Sequence, residues 1–270
     1  MSTDHRNRPT VRIPGWVFVP AGLALALLVL PVLGLLVRVP WSRLAEVLST
    51  PMALAALRLS LTTSGVSLVL AVLLGFPLAL VLARARGPWT AIARVVAALP
   101  MVLPPVVAGL ALLVTFGRRG LVGQSLSALG VEIGFTTIAV VLAQTFVALP
   151  YFVVAVEGAL RTLDTDYERV AATLGASPGF TLWRVTLPLL APALISGAAL
   201  AAARALGEFG ATLTFAGSLQ GVTMTLPQAI YLQREIDPDA ALALSVVLLG
   251  IATVLVAITA LMQRWGWRRG

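Results

Sequence analysis

The sequence predicts an all-α membrane protein with six transmembrane helices, both termini cytoplasmic and a short cytoplasmic helix between spans 4 and 5. Three observations carry this. Of 270 residues, 59% are hydrophobic and 11% charged, whereas roughly a quarter of a water-soluble domain is charged. The apolar residues gather in charge-free runs long enough to cross a bilayer core, which takes about 20 helical residues. The basic residues, all of them Arg, are divided unequally between the connections.

The spans are expected at residues 13–37, 59–83, 95–117, 133–156, 185–203 and 240–263. The first is too long for the apolar part of a signal peptide. Arg38, Pro40 and Trp41 follow it in place of a small-residue cleavage site, so it stays as a helix. A seventh uncharged run, 209–233, contains Thr212, Thr214, Ser218, Gln220, Thr223, Thr225, Gln228 and Gln233, broken by Gly210, Gly217, Gly221 and Pro227. Such a run is too polar and too interrupted to face lipid, and reads as an extracytoplasmic loop dipping back into the protein. In the third run, Leu99 to Pro105 holds three prolines, which favours a hinge or broken helix.

With six spans, twelve Arg fall in the tail at 1–12, in 84–94, in 157–184 and at the C-terminus, against seven in the other connections. The excess places both termini in the cytoplasm. Residues 13–270 then form one transmembrane domain behind a cytoplasmic tail, 1–12. The inventory also excludes chemistry. There is no Lys for a phosphate-binding loop and no Cys, and the one His, His5, lies in the tail. ATP hydrolysis, zinc binding and triad catalysis within this chain lack their side chains, and an intramembrane enzyme lacks a pair of acids within the spans. The formal charge of +8 reflects the Arg asymmetry of a membrane protein and not a nucleic-acid partner.

The longest cytoplasmic connection, 157–184, has structure written into it. Thr165-Asp166-Tyr167-Glu168 has the pattern of a capping box. Tyr167, Val170, Ala171 and Leu174 recur at helical spacing, and Gly175 stands at a left-handed C-cap with Pro178 and Gly179 beyond. The segment is therefore a helix of about 9 residues, roughly 13 Å long. It could rest on lipid headgroups, but the small residues Ala171, Ala172, Gly175 and Ala176 and its mixed charge suit docking into a protein cleft better.

From Glu168 the chain reads Glu-Arg-Val-Ala-Ala-Thr-Leu-Gly-Ala-Ser-Pro178, then Trp183-Arg-Val-Thr-Leu-Pro188. This resembles the EAA loop of the permease subunits of bacterial ABC importers. Val185, Leu187 and Pro188 stand at the motif's offsets from Gly175. Upstream, Arg169, Val170 and Ala171 occupy the Glu-Ala-Ala positions, with Glu168 one residue early. The resemblance implies a type I importer fold and a coupling helix whose contact with a separate ATPase involves Tyr167, Glu168, Ala171, Ala172, Gly175, Ala176, Ser177 and Pro178. It further implies a homodimer of permeases, two ABC ATPase subunits that carry ATP and Mg, an extracytoplasmic oxyanion-binding protein, and a place in a bacterial or archaeal inner membrane. The chain itself would bind no cofactor and no nucleic acid.

A second resemblance bears on the cargo. Gly207-Glu-Phe-Gly-Ala-Thr212, Leu99-Pro-Met-Val-Leu-Pro-Pro105 and Thr225-Leu-Pro-Gln-Ala-Ile-Tyr231 are similar to segments of the oxyanion permeases, and closer to molybdate/tungstate members than to sulfate/thiosulfate ones. A small dianion in transit needs neutral donors, for which Ser60, Thr62, Thr63, Ser64, Ser67, Thr212 and Thr214 are candidates. Such hydroxyls also serve simply to bond backbone within the membrane. Arg204 and Glu208, four apart, can pair either as a gate latch or as a structural ion pair. Sulfate/thiosulfate permease is the alternative function. A non-transporting scaffold would account for six spans and a docking helix, but not for the kinked, hydroxyl-bearing spans.

Overall fold

The computed structural model describes residues 14–267. The tail at 1–12, the first residue expected in span 1, and Arg268 and Arg269 lie outside the described residues. In chain order the helices are α1 (Phe18–Arg38), α2 (Leu44–Ser49), α3 (Pro51–Arg84), α4 (Pro88–Val102), α5 (Pro105–Phe116), α6 (Gly123–Ala128), α7 (Thr137–Thr162), α8 (Asp166–Thr173), α9 (Pro178–Thr181), α10 (Leu187–Leu206), α11 (Gly210–Ala216), α12 (Leu226–Ile236) and α13 (Pro238–Trp267). Among the described residues there is no strand. Five helical stretches are long and apolar enough to cross a membrane, and six if the bent pair α4–α5 counts as one span.

Local chemistry sets the helix ends. Thr50 caps α3 by accepting the Ala53 N–H at 3.3 Å, with Pro51 at the first helical position, where its missing N–H costs nothing. This start lies upstream of the apolar run at 59–83, because Met52 to Leu57 extend the helix beyond the uncharged stretch. The resulting 34 residues measure about 51 Å at 1.5 Å each. Thr136 caps α7 in the same way through Ala139. Span 5 starts early too, since Ser177 accepts the Phe180 N–H and the helical stretch runs from Pro178 to Leu206, passing through a π-helical segment at Leu182–Thr186.

The apolar run at 95–117 is not one straight helix. The chain bends by 115° between α4 and α5, because Leu103 and Pro104 are extended, at ψ 133° and 136°. Neither Pro104 nor Pro105 has an N–H to continue the ladder, and each disfavours helical geometry in the residue before it. The uncharged run at 209–233 is likewise two short helices, α11 and α12, joined by a turn.

The packing centre is α3 against α7 and α10. Phe152 of α7 is fully buried there among Ala71, Ala79, Leu82, Val156 and Leu190. Glycine makes room for it: a Cβ at Gly75 would stand 2.7 Å from the Phe152 ring, and one at Gly197 3.3 Å. A second cluster, built on Ala108, Leu112, Val140, Val147 and Phe215, joins α5, α7 and α11. By contrast α1 contains no buried residue and leans on α13. One end of the bundle gathers the α3–α4 turn with α8 and α9; the opposite end gathers 39–50, 117–136 and 217–237.

Candidate functional site

The best-defined polar site lies at the α8 end. Gly175 adopts φ +84°, and two bonds close the helix in a Schellman motif, Gly175 N–H to Ala172 C=O and Ala176 N–H to Ala171 C=O, both 3.0 Å. The other end of α8 departs from the sequence expectation. Thr165 makes no side-chain cap; the Asp164 carboxylate accepts the Asp166 N–H at 2.9 Å. Glu168 is drawn away from the helix start because stronger partners reach it. Arg84 Nη2, at the end of α3, donates to Glu168 Oε1 at 2.6 Å, and the Thr186 hydroxyl donates to the same oxygen at 2.7 Å.

Glu168 therefore fastens α8 to the second span and to the π-helical entry of the fifth. Its side chain is 20% exposed and that of Arg84 34%. Both line a cavity of about 560 Å³ with Ala172, Ala176, Pro178 and Thr186. The apolar positions at helical spacing point away from this anchorage: Tyr167 is 59% exposed, Val170 57% and Leu174 83%. Ala171 and Ala176 are half-buried against the body, while Ala172, Gly175, Ser177 and Pro178 are open. Burying Tyr167, Val170 and Leu174 against a partner would stabilise contact by roughly 1.5–3 kcal/mol for each large side chain fully covered.

Beneath α8 a second charge cluster stiffens the same end. Glu157 Oε1, almost fully buried on α7, accepts from Arg94 Nε at 2.6 Å and lies 3.6 Å from Arg161 Nη1. Arg94 also donates to the Leu82 carbonyl at 3.1 Å. This ties α4, α7 and α3 together. Sequence reasoning counted Glu157 among the acids of the 157–184 connection and did not pair it with Arg94, nor Glu168 with Arg84 and Thr186; ion-pair partners separated by 63 and 84 residues leave no local spacing to detect.

The hydroxyl candidates fall into two groups. Thr62, Thr63 and Ser64 donate to carbonyls one turn back in α3, and Thr214 does so in α11. Ser67 reaches across to the Val141 carbonyl at 3.0 Å. Ser60 and Thr212 instead meet at the start of α12. Ser60 Oγ accepts the Leu226 N–H at 2.6 Å, and Gln228 Nε2 donates to Thr212 Oγ1 at 3.4 Å and to the Gly217 carbonyl at 3.1 Å. Gln228 Oε1 accepts the Thr225 N–H at 3.0 Å. Ser60, Thr212 and Gln228 are all buried, so this knot joins α3, α11 and α12. Gln228 is the member that the sequence reading passed over, although its place three residues after Thr225 is a capping-box signal.

Arg204 and Glu208 do pair, Nη1 to Oε2 at 2.5 Å, with the Glu208 side chain 1% exposed and that of Arg204 25%. The other Glu208 oxygen accepts the Ala211 N–H at 2.8 Å. The carboxylate thus sits at the N-terminal turn of α11, which favours negative charge. Close packing fixes α11 against the broken span. A Cβ at Gly109 would fall 2.8 Å from the Ala211 carbonyl oxygen, and one at Gly210 2.7 Å from Pro105. Among the described residues no group of three or more His, Cys, Asp or Glu could hold a metal ion.

Comparison with known proteins bears on this arrangement. Residues 71–266 match the family described as "Binding-protein-dependent transport system inner membrane component". The chain is 56% identical to the molybdenum transport system permease protein ModB of Mycobacterium tuberculosis, over 92% of this chain and 94% of the relative. It is 37% identical to ModB of Escherichia coli, over 78% and 91%, and 33% identical to the sulfate transport system permease protein CysT of Escherichia coli, over 86% and 85%. Among solved structures, the fold is similar to a chain of a bacterial ABC transporter involved in import of the acidic polysaccharide alginate, with TM-score 0.72, 18% identity, and 92% and 94% of the two chains covered. A chain of the MetNI methionine ABC transporter in an inward-facing conformation gives TM-score 0.65 at 18% identity, over 80% and 96%.

Proposed function

The chain belongs to the family of binding-protein-dependent transport system inner membrane components, a multi-pass membrane permease subunit, and from that premise we propose that it carries molybdate across the membrane in an ATP-driven importer. The observation that supports this cargo is the 56% identity with a molybdenum permease along nearly the whole of both chains. The sulfate permease relative, at 33%, is more distant. Tungstate, of the same charge and shape, is a second cargo of the same site.

In this reading the chain hydrolyses nothing. Two ABC ATPase subunits bind ATP and Mg and dock on α8 from the cytoplasm, where both termini lie. Two copies of the permease face each other across the pathway, and an extracytoplasmic oxyanion-binding protein delivers cargo at the opposite end. Tyr167, Val170 and Leu174 seat in the ATPase, with Ala172, Gly175, Ser177 and Pro178 at the rim of the contact. Glu168 transmits the displacement to α3 through Arg84 and to the fifth span through Thr186. Arg204 and Glu208 hold the turn between the fifth span and α11 and act as the gate. Ser60, Thr63 and Thr212 keep the outer ends of α3, α11 and α12 moving as one piece, and Thr62, on the exposed face of α3, lines the pathway.

The test is uptake of labelled molybdate into vesicles containing the permease, its ATPase and its binding protein, challenged with excess unlabelled tungstate or sulfate. Uptake suppressed by tungstate and not by sulfate is expected. Full suppression by sulfate would move the cargo to the sulfate branch. An assembled complex that hydrolyses ATP without molybdate uptake would remove the oxyanion assignment.

A further inference from the structure

A cleft runs along one side of α13 from the end of the bundle opposite α8 toward the membrane centre. Its outer part, about 590 Å³, lies between Arg38 at the end of α1, Arg234 on α12, and α13. Its inner part, about 460 Å³, continues between α10 and α13 as far as Ala252. Pro227, Ile230 and Ser245 line both parts, so the two adjoin along one side of α13. From Pro238 to Ala252 they span about 21 Å of helix, somewhat more than the half-thickness of about 15 Å of a bilayer's hydrocarbon core.

The two parts differ in chemistry. Below Ile230 the walls are Leu206, Leu248, Leu249 and Ala252, all apolar. At the mouth stand two guanidinium groups. Arg38 makes no ion pair among the described residues. Arg234 uses Nε and Nη2 on Glu235, and none of those bonds uses Nη1. Its guanidinium is held 5.2 Å above the Tyr231 ring, which packs against Phe209 at 5.1 Å. The cation is therefore held over the Tyr231 ring, and its Nη1 is left out of the bonds to Glu235.

We propose that this groove binds an anionic phospholipid, its phosphate between Arg38 and Arg234 and one acyl chain laid along α13 from Ser245 to Ala252. Charge and shape select that occupant together. A free oxyanion would satisfy the two Arg but gain nothing from the apolar length below. A zwitterionic lipid would bring a cationic headgroup beside two cations. An apolar helix of a second copy would fill the lower groove and leave Arg38 without an anionic partner at the membrane surface. Bound there, the lipid would also join α1, which has no buried residue, to α12 and α13.

The experiment is native mass spectrometry and thermal melting of the full-length permease, in the assembly in which it is purified, titrated with dioleoyl phosphatidylglycerol, dioleoyl phosphatidylcholine and inorganic phosphate. Phosphatidylglycerol should be retained and raise Tm; the other two should do neither. Arg38→Gln and Arg234→Gln should each weaken phosphatidylglycerol binding about fivefold, the worth of one basic side chain near an anionic lipid surface. Ser245→Trp, which blocks the groove and spares both Arg, should weaken it as well. Equal retention of phosphatidylcholine, or unaltered binding in the two Arg variants, overturns the proposal. Displacement of the lipid by phosphate alone makes the mouth a free-anion site. Binding indifferent to Ser245→Trp removes the acyl-chain groove, and binding seen only in the single chain and lost in the dimer assigns the groove to the second copy.

Discussion

Arg84 and Glu168 stand 2.6 Å apart, nitrogen to oxygen, and join the end of the second span to the first turn of α8. The same carboxylate takes the Thr186 hydroxyl, so one side chain serves two spans. An ion pair this open to water contributes about 1 kcal/mol or less to stability. Its larger effect should be on how α8 moves with the spans. Glu168→Gln is expected to leave the permease folded and bound to its ATPase, with molybdate uptake reduced severalfold while ATP hydrolysis continues. Arg84→Glu combined with Glu168→Arg should restore part of the uptake. Uptake equal to the parent in Glu168→Gln would show that the pair transmits nothing.

The turn that ends α8 depends on one glycine. Gly175 has φ +84° and nothing within 4 Å of a notional Cβ, so substitution meets backbone strain and not crowding. Gly175→Ala should cost about 1 kcal/mol locally, a small loss of uptake. Gly175→Pro cannot adopt a positive φ and would tilt Tyr167, Val170 and Leu174. Together with Ala171→Glu, which puts a charge on the half-buried side of the helix, it is expected to abolish uptake while the permease remains inserted in the membrane. Normal uptake in both variants would refute a coupling role for α8.

What was legible in the sequence was whatever chemistry keeps close in the chain. Charge-free length marked the apolar part of each span, although α3, α4 and the fifth span begin upstream of it; Pro104 and Pro105 marked the break between α4 and α5, and Gly175 marked the end of α8. The Arg204–Glu208 pair followed from its spacing of four. Pairings across the bundle were hidden. Thr165 and Glu168 have the spacing of a capping box, yet Arg84, distant in sequence, takes the carboxylate because a charged donor outcompetes a backbone amide. Ser60 read as a donor toward a passing anion; in the fold its oxygen accepts a backbone N–H from α12, a partner 166 residues away.

Ser60 has a test that separates those roles. Its Oγ is the acceptor for the buried Leu226 N–H, and Ser60→Ala would leave that donor without a partner, at a cost of about 1–3 kcal/mol. A lowered melting temperature is expected. Thr62→Ala, whose hydroxyl bonds only its own helix at an exposed site, should melt like the parent, and any loss of uptake in it would be a direct effect on the pathway. Ser60→Ala melting with the parent would remove the capping role.

The contact of α5 with α11 is set by the missing side chain at Gly109. An added Cβ would lie 2.9 Å from the Ala211 Cα and 2.8 Å from its carbonyl oxygen. These are backbone atoms, which cannot swing aside as a side-chain tip would. Gly109→Ala should therefore destabilise by about 1–3 kcal/mol, the usual cost of overpacking. Gly158 is the control. It lies inside α7 with nothing within 4 Å of an added Cβ, so Gly158→Ala should be neutral or stabilising by about 0.5–1 kcal/mol. Equal melting of the two variants would mean that α11 does not pack this closely on the broken span.

At the end opposite α8, Asp237 joins α2's approach to the start of α13. Its carboxylate accepts from Arg43 Nη2 at 2.9 Å and from the Ala240 and Asp239 N–H groups at 3.1 Å each. The Arg43 hydrogen bond first, and the Ala240 amide next, hold this carboxyl below its ordinary value of 3.8. Folding thus favours the ionised form, and the unfolded chain takes up the proton first as pH falls. The contribution of Asp237 is fully present above 3.8 and is lost as pH drops through the depressed folded value. Arg43 is shifted upward by the same contact and stays charged throughout that window. Asp237→Asn keeps an acceptor oxygen but removes the charge. Thermal melting of parent and variant in detergent between about pH 6 and pH 2 should show the parent more stable at the upper end, with the gap closing in acid. A gap that stays constant across the range would mean that the ion pair with Arg43 is not what holds the two segments together.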